Sequence, residues 1–158
     1  MARMKLKGFE EYERRLSQLG REALPMIEAA VDAGSNVGAD AMRAAIRSYP
    51  TVEGRQKNPL ALTQTQKQGL LDGFGVTPIA REGDFIHRKL GVDGYNAYRT
   101  KTYPKGQPNI MVLRIAESGS SVRAKTPRVR QAMRRAKKQI EQAMADTVDQ
   151  ETERIMIR

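Results

Sequence analysis

His87 is the only histidine in the chain, and it stands between an apolar neighbour, Ile86, and a cationic one, Arg88. A lone imidazole can move a proton near neutral pH, but it has no second imidazole with which to hold a metal. Cysteine is absent, which excludes disulfides, thiolate-bound zinc and thiol nucleophiles. Ser118, Ser120 and Ser121 surround Gly119 in a turn, yet no G-x-S-x-G elbow encloses them and His87 alone supplies no convincing triad. The carboxylates are dispersed. Glu10 and Glu11, and the stretch from Asp149 to Glu153, fall in helical, solvated patterns, while Asp72, Glu82, Asp84, Asp93 and Glu117 lie around turns without the spacing of a calcium loop. A G-x-x-x-x-G-K-[ST] phosphate loop and a paired-glycine dinucleotide fingerprint are also missing. The chain therefore reads as a non-enzyme, with no catalytic residue, no cofactor and no metal.

What remains is charge. Lysine and arginine number 28 against 18 aspartate and glutamate, a formal net charge of +10, and such a surplus favours anionic neighbours. It is concentrated in Arg123, Lys125, Arg128, Arg130, Arg134, Arg135, Lys137 and Lys138, with no acidic residue between them. That run could neutralise several phosphates and give steeply salt-dependent DNA binding; its ordinary alternative is a solvated helix face. Asp146, Asp149, Glu151 and Glu153 make the far end of the same helix acidic, which suits head-to-tail contacts between copies. Cations at the N-terminal half and anions at the C-terminal half oppose the helix dipole, so the order of charges favours an external partner, reached through a partner-facing or lumen-facing surface. Tyr95, Tyr98 and Tyr103 stand beside Arg99, Lys101 and Lys105 in a loop that would stack on bases or anchor a protein interface. No helix-turn-helix, zinc-finger or RNP signature supports the reading of a nucleotide sequence.

Elements must position these groups. The 158 residues suffice for one domain, expected to span 1–158. With aromatics at 5% and no tryptophan, its core is thin and calls for subunit contacts. The opening residues turn charged at once, unlike a signal peptide, and no stretch approaches the roughly 20 apolar residues of a membrane span; the expectation is a chain made and used in the cytosol, or in something assembled there. Met4 and Leu6 suggest a short strand or arm, and Phe9, Leu16 and Leu19 a first helix ending at Gly20. A longer helix follows to Tyr49-Pro50, with Pro25 in its first turn. Thr51 to Gly69 lacks a period and reads as a loop. Phe74, Val76 and Ile79, a turn at Arg81 to Asp84, and Phe85, Ile86, Leu90 and Val92 predict a hairpin. A second loop covers 95–109, and "IMVLRIAES" reads as an interior strand. Thr126 then sits where an N-cap belongs and Pro127 at the first helical position, opening a helix with Val129, Ala132, Met133, Ala136, Ile140, Met144 and Val148 on one face. The class is α+β: a small antiparallel sheet of roughly three to four strands packed by a long central helix and a long C-terminal helix.

The order of these pieces resembles the tailed-phage neck family of head-tail joining, or tail-completion, proteins. Its opening Gly-aromatic-acidic helix is matched by Gly8, Phe9, Glu10 and Glu11, and its strand ending in glutamate and a Gly-Thr/Ser turn by Glu117, Gly119 and Ser120. Of the Pro-aromatic-aliphatic-Arg-Pro-Ala box that opens the family's last helix, Pro127, Val129, Arg130 and Ala132 are present, while Arg128 replaces the aromatic and Gln131 the second proline. The resemblance covers most of the chain, and it is weakest from Thr51 to Gln68 and in the Tyr95 to Asn109 loop. It implies a structural virion protein assembled in the host cytoplasm, a homomeric ring in the tail or neck of sixfold symmetry by match to the tail tube, placed between the tail tube protein and head-side connector proteins. Tail termination and head-tail joining imply the same sequence features. Loops 51–69 and 95–109 would dock neighbours, Glu117 to Ser121 and Pro127 would form the turn orienting the last helix, and packaged DNA would be met only nonspecifically, with no membrane involved. The alternative is a nonspecific DNA-binding protein using the same basic helix.

Overall fold

The computed structural model describes residues 9–52, 58 and 60–157; Met4, Leu6 and Gly8, where the sequence places an opening arm, lie outside the described residues. Two long helices dominate. α1 (Phe9–Arg47) has 39 residues and α4 (Arg128–Ile157) has 30, roughly 58 Å and 45 Å of helix. They run antiparallel. Arg15 donates to the carbonyl of Met156, and Arg154 Nη2 meets Glu22 Oε2 at 3.1 Å, while at the opposite end Arg128 Nη1 reaches Ser48 Oγ at 3.4 Å. Small residues let the helices close: a Cβ on Gly34 would lie 2.6 Å from Met144 Cγ.

α1 corrects the expectation of two helices. It runs through Gly20 and Pro25 without a break, because packing along α4 buries Met26, Ala30 and Gly34 and outweighs the local preference for a stop. Pro25 is exposed, so the carbonyl that its ring deprives of a donor can turn to water.

A second correction concerns the Thr51 to Gly69 loop. Thr51–Val52 (β1) pairs in parallel with Leu62–Thr63 (β2), and α2 (Gln64–Asp72) begins directly after. Thr63 Oγ1 accepts from Gln66 N at 3.1 Å and Gln66 Oε1 accepts from Thr63 N at 3.1 Å, a reciprocal capping box that satisfies two donors at once. Residues 53–57 and 59 lie outside the described residues.

The expected hairpin forms as four short strands. β3 (Phe74–Val76) pairs antiparallel with β6 (Leu90–Val92), and β4 (Ala80–Glu82) with β5 (Phe85–His87). Thr77 N donates to Lys89 O at 2.9 Å between the two ladders, so one nests inside the other. The turn uses Gly83 at φ 59, in the left-handed region that glycine enters without strain.

The "IMVLRIAES" strand is instead a helix, α3 (Asn109–Ser118). Asn109, Val112, Leu113, Ala116 and Glu117 are its buried positions, a helical repeat at i, i+3, i+4, i+7 and i+8. Apolar density suggested a buried strand, but the spacing of the residues that turn inward is that of a helix. The core gathers Met42 and Ile46 of α1, Tyr49 in the turn after it, Leu62 of β2, Leu70 of α2, Val92 of β6, Val112 and Leu113 of α3, and Val129 of α4. The class is α+β, with the long first helix and the long C-terminal helix packed together.

Candidate partner-binding surfaces

The turn from α3 to α4 is organised by a buried carboxylate. Glu117, 8% exposed, accepts from Val129 N at 2.8 Å through Oε1 and from Arg130 N at 3.0 Å through Oε2. Its Oε1 also accepts from the Tyr49 hydroxyl. Glu117 thus caps α4 from another helix, satisfying donors that a helix N-terminus leaves open and placing an anion at the positive end of the dipole. Thr126 does not take the expected cap role. Its Oγ1 points to Ala124 O at 3.4 Å, its N–H donates to Ala116 O at 2.8 Å, and Pro127 precedes the first residue of α4, with its carbonyl accepting from Gln131 N at 3.1 Å. Gly119, at φ 83, ends α3 in a conformation that favours glycine, and Ser120 follows on the surface. Burial, and then the Glu117 hydrogen bond and charge, push the Tyr49 hydroxyl well above the ordinary tyrosine range.

The basic residues divide into two sets. Arg130, Arg134, Arg135, Lys137 and Lys138 are exposed along α4, as is Lys125 before it. Of the helix five, Lys137 meets Glu141 at 3.6 Å; Arg130, Arg134, Arg135 and Lys138 have no ion pair among the described residues. Arg130, Arg134 and Lys138 recur at four-residue spacing, which aligns them along one face turned from α1. Arg123 and Arg128 are half-buried. Removal from water holds the Arg123 guanidinium below its ordinary range. Arg128 Nε is buried without a hydrogen-bond partner among the described residues, and with Arg135 the Arg128 side chain walls a groove of about 430 Å³ over Ala41, Ala45, Ala132 and Ala136.

The tyrosine loop is held by its own backbone. Tyr95 and Pro108 form a bridge, Asn96 N donates to Gln107 O at 3.0 Å, and Thr100 and Tyr103 exchange bonds at 3.2 and 3.1 Å. Tyr95, Tyr98, Arg99, Lys101 and Lys105 are exposed, whereas Tyr103 turns inward and its hydroxyl meets Met111 Sδ at 3.2 Å. The structure therefore brings two of the three tyrosines to the surface. Beside them opens a cleft of about 660 Å³ between α2, the 93–97 segment and the first residue of α3. Asn96 and Asn109 line it, buried to 3% and 2% exposure, with Asn96 Nδ2 and Asn109 Oδ1 lacking a hydrogen-bond partner among the described residues. Gly69 and Gly73 make this approach possible. A Cβ on Gly69 would lie 2.9 Å from Asn109 Oδ1, and one on Gly73 would strike the Asp93 carbonyl and stand 2.5 Å from Asn109 Nδ2. In the sequence this cleft is signalled only by the repeated glycines of "GLLDG", which permit close approach, and by the Pro108-Asn109 step, which marks a helix start.

His87 is half-buried on β5, and Ser118, Ser120 and Ser121 are exposed at the end of α3 and beyond it. Among the described residues no three of the His, Asp and Glu side chains gather in a metal-holding group, and no helix is long and apolar enough to cross a membrane. α1 displays a different feature. Phe9, Tyr12, Leu16, Leu24 and Ile27 are 44–62% exposed along its first half. In comparisons with protein-family models, curated proteins and solved structures, nothing matches this chain.

Proposed function

We propose that this chain is a structural subunit of the neck of a tailed-phage particle, forming a homomeric ring that joins or terminates the tail tube at the head-tail interface. The observation that carries the reading is the apolar row on the first half of α1, Phe9, Tyr12, Leu16, Leu24 and Ile27. A chain working alone gains nothing from five large apolar side chains held in water, whereas an assembly subunit buries them. Two further features support it. Charge is polarised along α4, with Arg130, Arg134 and Lys138 toward one end and Asp146, Asp149 and Glu153 exposed toward the other, and the motif order from Phe9 to the Glu117-Gly119-Ser120 turn resembles the neck family. The strand before that turn, implied by the resemblance, is the helix α3 in this chain, so the support lies in the order of the motifs and not in that element.

The second reading, nonspecific DNA binding, is favoured by the row Arg130, Arg134 and Lys138, exposed on one helix face and without an ion pair among the described residues. Deleting the gene from its phage or prophage and examining the lysate by negative-stain electron microscopy separates the two. Filled heads and tails left unjoined, or tails of irregular length, are expected. Joined, intact virions would overturn the neck role. DNA binding predicts retention of duplex in a gel shift at low salt, with affinity falling steeply as salt rises.

A further inference from the structure

On a chain with a formal charge of +10, the cleft between α2, the 93–97 segment and the start of α3 is an acidic exception. Asp72 and Asp93 line it, and among the described residues no lysine or arginine does. Each carboxylate uses one oxygen locally: Gln68 Nε2 donates to Asp72 Oδ1 at 2.7 Å, and Gly94 N donates to Asp93 Oδ1 at 2.7 Å. Both residues are exposed, and neither forms an ion pair among the described residues. Deeper in, among the described residues, Asn109 Oδ1 is an acceptor without a donor and Asn96 Nδ2 a donor without an acceptor, both on residues buried to 2% and 3% exposure. Buried polar atoms are normally matched; both of these lie closed to solvent at the cleft floor, and of the two only the acceptor, Asn109 Oδ1, has the chemistry to answer a cation, which donates and never accepts. Tyr95, 68% exposed, adds an aromatic wall. Two carboxylates, an unmatched amide oxygen and an aromatic face together suit a guanidinium or an alkylammonium.

We infer that this cleft receives the basic face of α4 from a second copy of the chain, with Arg130, Arg134 and Lys138 set against Asp72 and Asp93. No residue of α4 lines the cleft, so one copy does not neutralise its own acidic pocket with its own cation row. Two complementary surfaces on different elements make a heterologous contact, the kind that closes into a ring when the rotation between neighbours permits. Opposite charges also set the register between neighbours and speed their encounter. The inference rests on the reading of the chain as a ring subunit and supplies that ring with its contact.

Sedimentation velocity of the full chain at about 50 mM and about 500 mM salt tests it. The wild type is expected to self-associate, more weakly at the higher salt. The isosteric pair Asp72→Asn with Asp93→Asn should weaken association tenfold or more, with the circular dichroism spectrum unchanged. A charge exchange keeps the test independent of any loss of fold. Asp72→Lys with Asp93→Lys in one preparation, and Arg134→Asp with Lys138→Asp in another, should each stay monomeric alone and associate when mixed. Unimpaired association of the Asn pair, or no association on mixing two folded charge variants, would overturn the contact while leaving the ring reading intact. A wild type monomeric at every concentration would overturn the contact too, and the neck role would still be judged by the lysate.

Discussion

Glu117 joins three donors from two other segments, the Tyr49 hydroxyl in the turn after α1 and the N–H groups of Val129 and Arg130 at the start of α4. Glu117→Ala would leave all three without that acceptor in a buried place, and should lower unfolding free energy by about 2–4 kcal/mol in urea titrations. Tyr49 makes the same unit sensitive to alkali. Its folded pKa is raised by burial and by Glu117, so the stability of the neutral phenol is fully present below about pH 10, where an unfolded tyrosine titrates, and is lost as pH climbs beyond it. Melting temperature should therefore fall above about pH 10. Tyr49→Phe should flatten that decline while costing about 1 kcal/mol at neutral pH. At the cleft, Gly73→Ala would drive a methyl into the Asp93 carbonyl, a backbone atom that cannot swing aside, and should destabilise by at least about 2 kcal/mol in the same assay. None of these roles is visible in residue type alone. Glu117 is one of several scattered carboxylates in the sequence, and Tyr49 stands out only as the residue before a helix-ending proline.

At the scale of elements, α1 shows local rules overridden. Gly20 meets no atom within 4 Å of an added Cβ, and Pro25 is exposed inside the helix. Gly20→Ala should add about 0.5–1 kcal/mol and Pro25→Ala about 1–3 kcal/mol of stability, read as raised melting temperatures. If the helix were broken there in solution, neither substitution would help. α2 and α3 depart from the sequence expectation for different reasons. The T-x-x-Q of Thr63 and Gln66 was a legible capping box in a stretch read as loop. For α3, Ile110, Met111, Val112, Leu113 and Ile115 form a short apolar run whose composition fits either element. Inward turns at Val112, Leu113, Ala116 and Glu117 decide for a helix once neighbours exist to bury them. The 74–92 hairpin was legible because its turn residues, Gly83 and Asp84, act locally.

For the whole molecule, the α1 row separates folding from assembly. Leu24 and Ile27 are 50% and 44% exposed, so Leu24→Ser with Ile27→Ser should lower the unfolding free energy of the isolated chain by no more than about 3 kcal/mol between them, about half of what two fully buried side chains would cost. The same pair should reduce recovery of joined particles when it replaces the wild type in a phage complementation assay. Loss of stability comparable to two core substitutions would instead place these side chains inside the fold. Arg130, Arg134 and Lys138 belong to this scale as well, since their row has no acidic partner within the described chain and has meaning only toward something outside it.

By itself the sequence determined the α+β class, the long amphipathic C-terminal helix, the hairpin and the position of the cation run. Each depends on periodicity, turn residues or charge, which act over a few neighbouring positions. Only the tertiary structure decided that α1 is continuous, that α3 is a helix, that Glu117 caps α4, and that Asp72, Asp93, Asn96 and Asn109 share one cleft. These depend on contacts between segments far apart in the chain, where the free energy of burying one face against another exceeds the local preference for a break or a strand.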